Sequence, residues 1–195
     1  MDNTYPRYKI CVSGAAETSH CGPEACKIAE LLGKEIASRG LVLVDGATTG
    51  FPLWAAKSAK QNGGIVVGIS PASSQKEHIE KFDLPVDYHD LIIYTGFGYS
   101  GRNLLLTRVA DAVIVGCGRM GTVNEFTIAF EDKKPIGVLE GDWETDEVVK
   151  NILEKSYRQA EHPYIAFGSD PAELLDKLLL FIKERENKIN NKGRC

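Results

Sequence analysis

Gly116-Cys117-Gly118-Arg119-Met120-Gly121-Thr122-Val123-Asn124-Glu125 is the stretch whose reading decides the fold. It follows Ala112-Val113-Ile114-Val115, a short apolar run rich in β-branched residues. It precedes Phe126-Thr127-Ile128-Ala129-Phe130, whose apolar spacing suits a helix. A strand, a glycine turn and a helix start together aim unpaired backbone N–H groups at an anion. The stretch therefore predicts the floor of a phosphate or nucleotide site.

Working outward, the same alternation recurs. Apolar runs of strand length stand at residues 8–13, 41–44, 65–69, 91–94, 135–139 and 164–167. Between them, helices are predicted over 23–38, 52–60, 104–110, 122–131 and 145–158, with a final helix over 171–186 and a frayed tail over 187–195. Wholly apolar strands separated by helices of this length imply a parallel sheet covered on both faces and joined by right-handed crossovers. The expected fold is α/β, a single Rossmann-like, doubly wound domain over residues 1–195. Its mostly parallel sheet has about seven strands, with helices on both faces. Residues 70–89, polar and broken by Pro71 and Pro85, are too long for a routine connection and read as a binding loop or lid.

A chain of 195 residues can bury one sizeable core without a metal or disulfide staple. Its 43% apolar and 26% charged fractions are those of an ordinary globular protein. With 23 Lys+Arg against 27 Asp+Glu, the net charge of −4 offers no global basic field to nucleic acid or to an anionic membrane. No signal peptide or membrane-spanning stretch is legible, so a cytoplasmic protein is expected. The cysteines at 11, 21, 26, 117 and 195 are irregularly spaced and read as reduced thiols. His20, Cys21 and Cys26 with Cys11 do not form a zinc spacing, and no metal site is expected.

In a doubly wound sheet the loops at the carboxyl ends of the strands converge on one rim. Gly14, Gly46, Thr48, Thr49, Gly101, Asn103, Gly118, Gly121 and Thr122 are thereby brought together as phosphate- or nucleotide-binding candidates, with Arg102 and Arg119. A guanidinium offers a planar fork to phosphate oxygens and keeps its charge in a pocket. Thr122-Val123-Asn124-Glu125 has two readings: a Thr-x-x-Glu capping box, or a ligand-directed glutamate in the first turn of a helix. Cys117 reads as a buried turn residue or, lying before a helix N-terminus, as a nucleophile without a histidine beside it in sequence. The histidines at 20, 78, 89 and 162 have no triad spacing, and His89, near a strand start, is the one to watch.

These motifs resemble a known superfamily. Gly101-Arg102-Asn103, Ala110-Asp111-Ala112-Val113-Ile114, the run from Gly118 to Glu125 and Lys134-Pro135-Ile136 are similar to the Rossmann-like family of LOG (Lonely Guy) cytokinin-activating phosphoribohydrolases, which also carries an older lysine decarboxylase label. Gly46-Ala47-Thr48-Thr49-Gly50 and the run from Gly63 to Pro71 match its first half. The resemblance implies a homodimer that binds a nucleoside 5′-monophosphate and, in catalytic members, hydrolyses the bond from base to ribose 5-phosphate. It places Arg102 and Glu125 on the family's catalytic pair, with water as acceptor and neither a metal nor an organic cofactor. Decarboxylation is not expected, because no lysine stands in a pyridoxal phosphate context. Cys117 and Arg119 stand where the phosphoribohydrolase motif has Pro and its second Gly, and Asn103 replaces the Lys after Arg102. Gly-Arg-Asn is closer to a sister branch of molybdenum-cofactor-carrier-like proteins, in which the pocket binds rather than cleaves.

Overall fold

Strands and helices alternate along the chain in a computed structural model that describes residues 8–192. The first half runs β1 (Lys9–Ser13), α1 (Ala25–Ser38), β2 (Val42–Asp45), α2 (Phe51–Gln61), β3 (Ile65–Ser70), α3 (Gln75–Glu80), β4 (Leu91–Tyr94) and α4 (Gly98–Val109). The second runs β5 (Ala112–Val115), α5 (Met120–Glu131), β6 (Ile136–Leu139), α6 (Thr145–Lys155), β7 (Ile165–Gly168) and α7 (Pro171–Lys192). The strands form one seven-stranded sheet in the order β4-β3-β2-β1-β5-β6-β7. Every neighbouring pair is parallel. This is the Rossmann-like, doubly wound architecture the alternating pattern predicts.

Alternation within each strand divides the core between two helical layers. Ile10 and Val12 of β1 with Ala112 and Ile114 of β5 pack under α1, α2 and α7, through Leu32, Ile36, Phe51, Leu174 and Leu178. Cys11, Val113 and Val115 point the other way, onto Leu106 of α4, Phe126 and Phe130 of α5 and Val149 of α6. Side chains at successive strand positions face opposite sides, so a continuous apolar run serves both layers.

The strand order also fixes where a ligand can enter. From β1 the chain winds outward through β2, β3 and β4, then returns to lay β5 against the other edge of β1 and winds outward again. Ser13 and Val115 are register partners at the ends of β1 and β5, so the loops that follow leave side by side in opposite directions. Such a reversal opens a crevice at the carboxyl ends of the strands.

Several expectations are corrected. Residues 70–89 are not a wholly irregular loop, because Ser74 caps α3 through its side chain and His78 anchors that helix in the interior. None of these residues lines the cleft described below. Helix α4 starts at Gly98, so Gly101, Arg102 and Asn103 lie within a helix rather than in a loop. The helix after β5 starts at Met120 with Arg119 as N-cap, so Thr122 and Glu125 do not form a capping box. The final helix continues to Lys192 instead of fraying from Asn187, while residues 193–195 lie outside the described residues.

Cys21 and Cys117 form a disulfide with their Cα atoms 5.6 Å apart, against the reduced thiols expected from their spacing. A sequence separation of 96 conceals that the two residues lie on loops leaving adjacent strands. Cys11 and Cys26 are free thiols, and Cys195 lies outside the described residues.

Candidate functional site

At the reversal between β1 and β5 lies a cleft of about 360 Å³. Gly14 and Glu17 line it from the loop after β1, and Gly46 and Thr48 from the loop after β2. Tyr99, Arg102 and Asn103 of α4 and Arg119, Gly121, Thr122 and Glu125 around the start of α5 complete it. That size lies within the range of small-molecule pockets. The glycine loops are held from beneath by Phe51, the fully buried first residue of α2. A Cβ on either Gly14 or Gly116 would collide with its ring.

Glu125 is the charged centre of the cleft floor. Helix α5 starts early enough that this residue falls on its second turn, facing inward rather than capping the helix. Ser13 Oγ, at the end of β1, donates to Glu125 Oε2. Arg102 Nη1, delivered by α4, lies 3.4 Å from Glu125 Oε1. The amide orientation that satisfies Asn103 turns its nitrogen to Glu125 Oε1 at 2.9 Å and to the Tyr99 carbonyl at 3.0 Å. Burial raises the Glu125 pKa above the ordinary carboxylate value; Arg102 and the Ser13 hydrogen bond oppose that rise, and Asp45 adds to it.

Arg102 is equally constrained. A Cβ on Gly46 would overlap its guanidinium, so the glycine after β2 makes room for the arginine. The Tyr99 ring centroid lies 5.9 Å from the guanidinium carbon, and Arg102 Nε is buried without a hydrogen-bond partner. Arg119 differs: its side chain is 62% exposed, stands at the N-terminus of α5 and pairs with Glu17 across the cleft mouth at 3.2 Å. Gly121 is exposed beside it, and the space where a Cβ would stand is open.

The remaining candidates are divided by the fold. Thr48 is buried and lines the cleft, whereas Thr49 donates to the Ala16 carbonyl at 3.0 Å and does not line it. Gly101 packs toward Phe97 and stands outside the lining. The Gly118 backbone is engaged by Thr145 Oγ1, which accepts from its N–H at 2.8 Å and donates to its carbonyl at 3.1 Å. His89 is a buried partner of Asp45, remote in sequence, at 2.8 Å. Cys117, which the sequence leaves without a histidine, has His20 Nε2 3.6 Å from its sulfur.

Ser13, Glu17, Pro52 and Tyr99 were not legible as site residues. Ser13 carried the one available signal, a polar residue closing the apolar run of β1 at the carboxyl end of the sheet. Tyr99 enters only because α4 begins within a glycine-rich segment.

A parallel doubly wound sheet, a cleft at its reversal point and a glycine turn leading into a helix define a Rossmann-like domain with a candidate ligand cleft. The chain belongs to the SLOG cluster4 family, whose model matches residues 7–173. An uncharacterized protein of Archaeoglobus fulgidus is 37% identical over 131 residues, covering 67% of this chain and 79% of its own length. Among solved structures, the molybdenum cofactor binding protein of the phototrophic bacterium Rippkaea orientalis is 26% identical, with a TM-score of 0.70 over 92% of this chain and 97% of that one. The molybdenum cofactor carrier protein of Chlamydomonas reinhardtii shares the fold at 24% identity and a TM-score of 0.70, over 90% of this chain and 99% of its own. Among the described residues, no helix is long and apolar enough to cross a membrane.

Proposed function

We propose that the cleft binds a purine nucleoside 5′-monophosphate, plain or modified, and hydrolyses the bond between its base and ribose 5-phosphate. The observation that carries this reading is Glu125, a buried carboxylate on the cleft floor addressed by Ser13, Arg102 and Asn103. The phosphate belongs at the start of α5, where the N–H groups near Gly121 and Thr122 and the exposed guanidinium of Arg119 supply positive potential. That placement directs the sugar inward, toward Glu125.

Cleavage of the C1′–N bond sends its electron pair to the base and leaves positive charge on the ribose ring. Glu125, as the anion, stabilises that charge, and Arg102 and Ser13 keep its oxygens in place. Water adds to C1′ and its proton passes to the departing base nitrogen, giving free base and ribose 5-phosphate. No metal or organic cofactor takes part in these steps, and a homodimer belongs to the same reading.

A second reading has support of its own. Arg119 and Asn103 depart from the phosphoribohydrolase motif, and the Rippkaea orientalis protein binds molybdenum cofactor at 26% identity to this chain. On that reading the cleft holds a nucleotide or pterin-type phosphorylated ligand without cleaving it. Incubation with AMP and other nucleoside monophosphates, with chromatography for free base, separates the two. Release of base by the wild type but not by Glu125→Gln supports the hydrolase. Tight binding without release supports the carrier; the absence of both binding and release overturns the ligand assignment.

A further inference from the structure

The loops after β1 and β5 build a second feature beside the cleft. A cavity of about 500 Å³ is lined by His20, Gly118, Met120, Trp143 and Thr145, and it shares Arg119 with the first. At its edge, His20 Nε2 lies 3.6 Å from Cys117 Sγ and 3.9 Å from Cys21 Sγ. The other ring nitrogen, Nδ1, lies 3.8 Å from Glu17 Oε2. With its proton on Nδ1, toward the Glu17 carboxylate, the ring presents the Nε2 lone pair to the sulfurs; the hydrogen bond from Nε2 to the Gly118 carbonyl belongs to the other tautomer. Nε2 also lies 3.4 Å from the Gly118 carbonyl, a contact that a ligated cation would replace.

These separations resemble the edges of a metal tetrahedron. With Zn–S about 2.3 Å and Zn–N about 2.0–2.1 Å, tetrahedral geometry sets N···S near roughly 3.6 Å and S···S near roughly 3.8 Å. Nε2 already stands at the first distance from Cys117 Sγ, at 3.6 Å, and lies slightly farther from Cys21 Sγ, at 3.9 Å. Only the sulfurs need to separate, as they must once the bond between them is broken.

We propose that reduction of the Cys21–Cys117 disulfide creates a three-ligand site, formed by the two thiolates and His20 Nε2, for a thiophilic divalent cation of the Zn²⁺ class. A fourth position opens onto the second cavity. A dithiol reductant supplies two electrons and two protons to the Cys21–Cys117 bond and becomes a cyclic disulfide. Binding the cation then releases the two thiol protons. Disulfide and metal site are mutually exclusive states of one cluster, independent of the ligand assigned to the main cleft. Glu17 joins the two regions, since the carboxylate beside His20 also pairs with Arg119.

The test uses the full chain, reduced with a phosphine, freed of it under anaerobic conditions and titrated with Co²⁺. The expected result is one equivalent per chain, with thiolate-to-cobalt charge-transfer bands and the strong visible bands of tetrahedral cobalt, both displaced by Zn²⁺. Protein oxidised with diamide shows neither band. His20→Ala, a change at an exposed residue, weakens binding at least about ten-fold, and Cys117→Ser, which leaves one thiolate, lowers the charge-transfer intensity by at least about half. Cys26→Ser behaves as wild type. The proposal is overturned if reduced wild type shows no bands, if His20→Ala and Cys117→Ser both leave them unchanged, or if Cys26→Ser abolishes them.

Discussion

Arg102 Nη1 stands 3.4 Å from Glu125 Oε1, with both side chains only 7% exposed, so the most deeply placed charges of the cleft are each other's partners. Removing one member leaves the other buried and uncompensated. Arg102→Ala should cost about 3–5 kcal/mol at neutral pH. The loss should shrink in acid, as Glu125 takes up a proton and ceases to need a cation. Denaturant titrations at neutral and acidic pH check this, and an equal loss at both would refute the pairing argument.

If the cleft hydrolyses nucleotides, Glu125 must be ionised to act. Its pKa lies above the ordinary carboxylate value because burial outweighs the help of Arg102 and Ser13. Turnover should therefore fall as pH drops through that raised value, with the acid limb above the usual carboxylate range. Glu125→Gln should reduce base release by at least about 100-fold, the scale on which a pre-organised electrostatic group contributes. Ligand binding at the start of α5 should survive the change.

Gly46→Ala tests the support of Arg102. The added methyl meets the Arg102 guanidinium, so the arginine must move. Overpacking of this kind costs about 1–3 kcal/mol. A lower melting temperature with weakened activity is expected. Unchanged activity would show that the position of Arg102 is not critical.

His89 predicts a pH dependence of opposite sign. Nε2 meets Asp45 Oδ1 and Nδ1 meets the Asp87 carbonyl, each at 2.8 Å, an arrangement that only the doubly protonated ring satisfies. Burial alone would lower its pKa. The charge and hydrogen bond of Asp45, with the Asp87 carbonyl and Asp90, outweigh burial and raise the pKa above 6.5. A folded-state pKa above the unfolded value contributes stability that is complete below the unfolded pKa and lost as pH rises through the folded one. Melting temperature should therefore decline as pH rises from the unfolded pKa through the raised folded one, and His89→Gln should flatten that decline. A variant that keeps the same slope would assign it to other groups.

The Cys21–Cys117 bond closes a long loop, with a sequence separation of 96. Reduction in the presence of a chelator should cost about 2–4 kcal/mol. Cys117→Ser should show a similar loss and no further response to reductant. Calorimetry with and without a phosphine measures both.

The apolar runs at β1, β2, β3 and β5 and the glycine turn from Gly116 to Gly121 determined the doubly wound class by themselves. Strand and helix periods, like the stops that separate them, are local properties of the chain. The motif between Arg102 and Glu125 was likewise legible, as was the rim on which its residues meet. Tertiary structure decided what those residues touch. The starts of α4 and α5 moved Arg102 out of a loop and Glu125 away from a cap, because helix ends depend on packing as well as on propensity. It also placed Ser13 under Glu125, Gly46 against Arg102, Asp45 on His89, and Cys21 with His20 beside Cys117. These contacts join positions from 44 to 112 residues apart, except the adjacent His20 and Cys21. Only the laying of β5 against β1 brings the loops from the two halves of the chain within reach of one another.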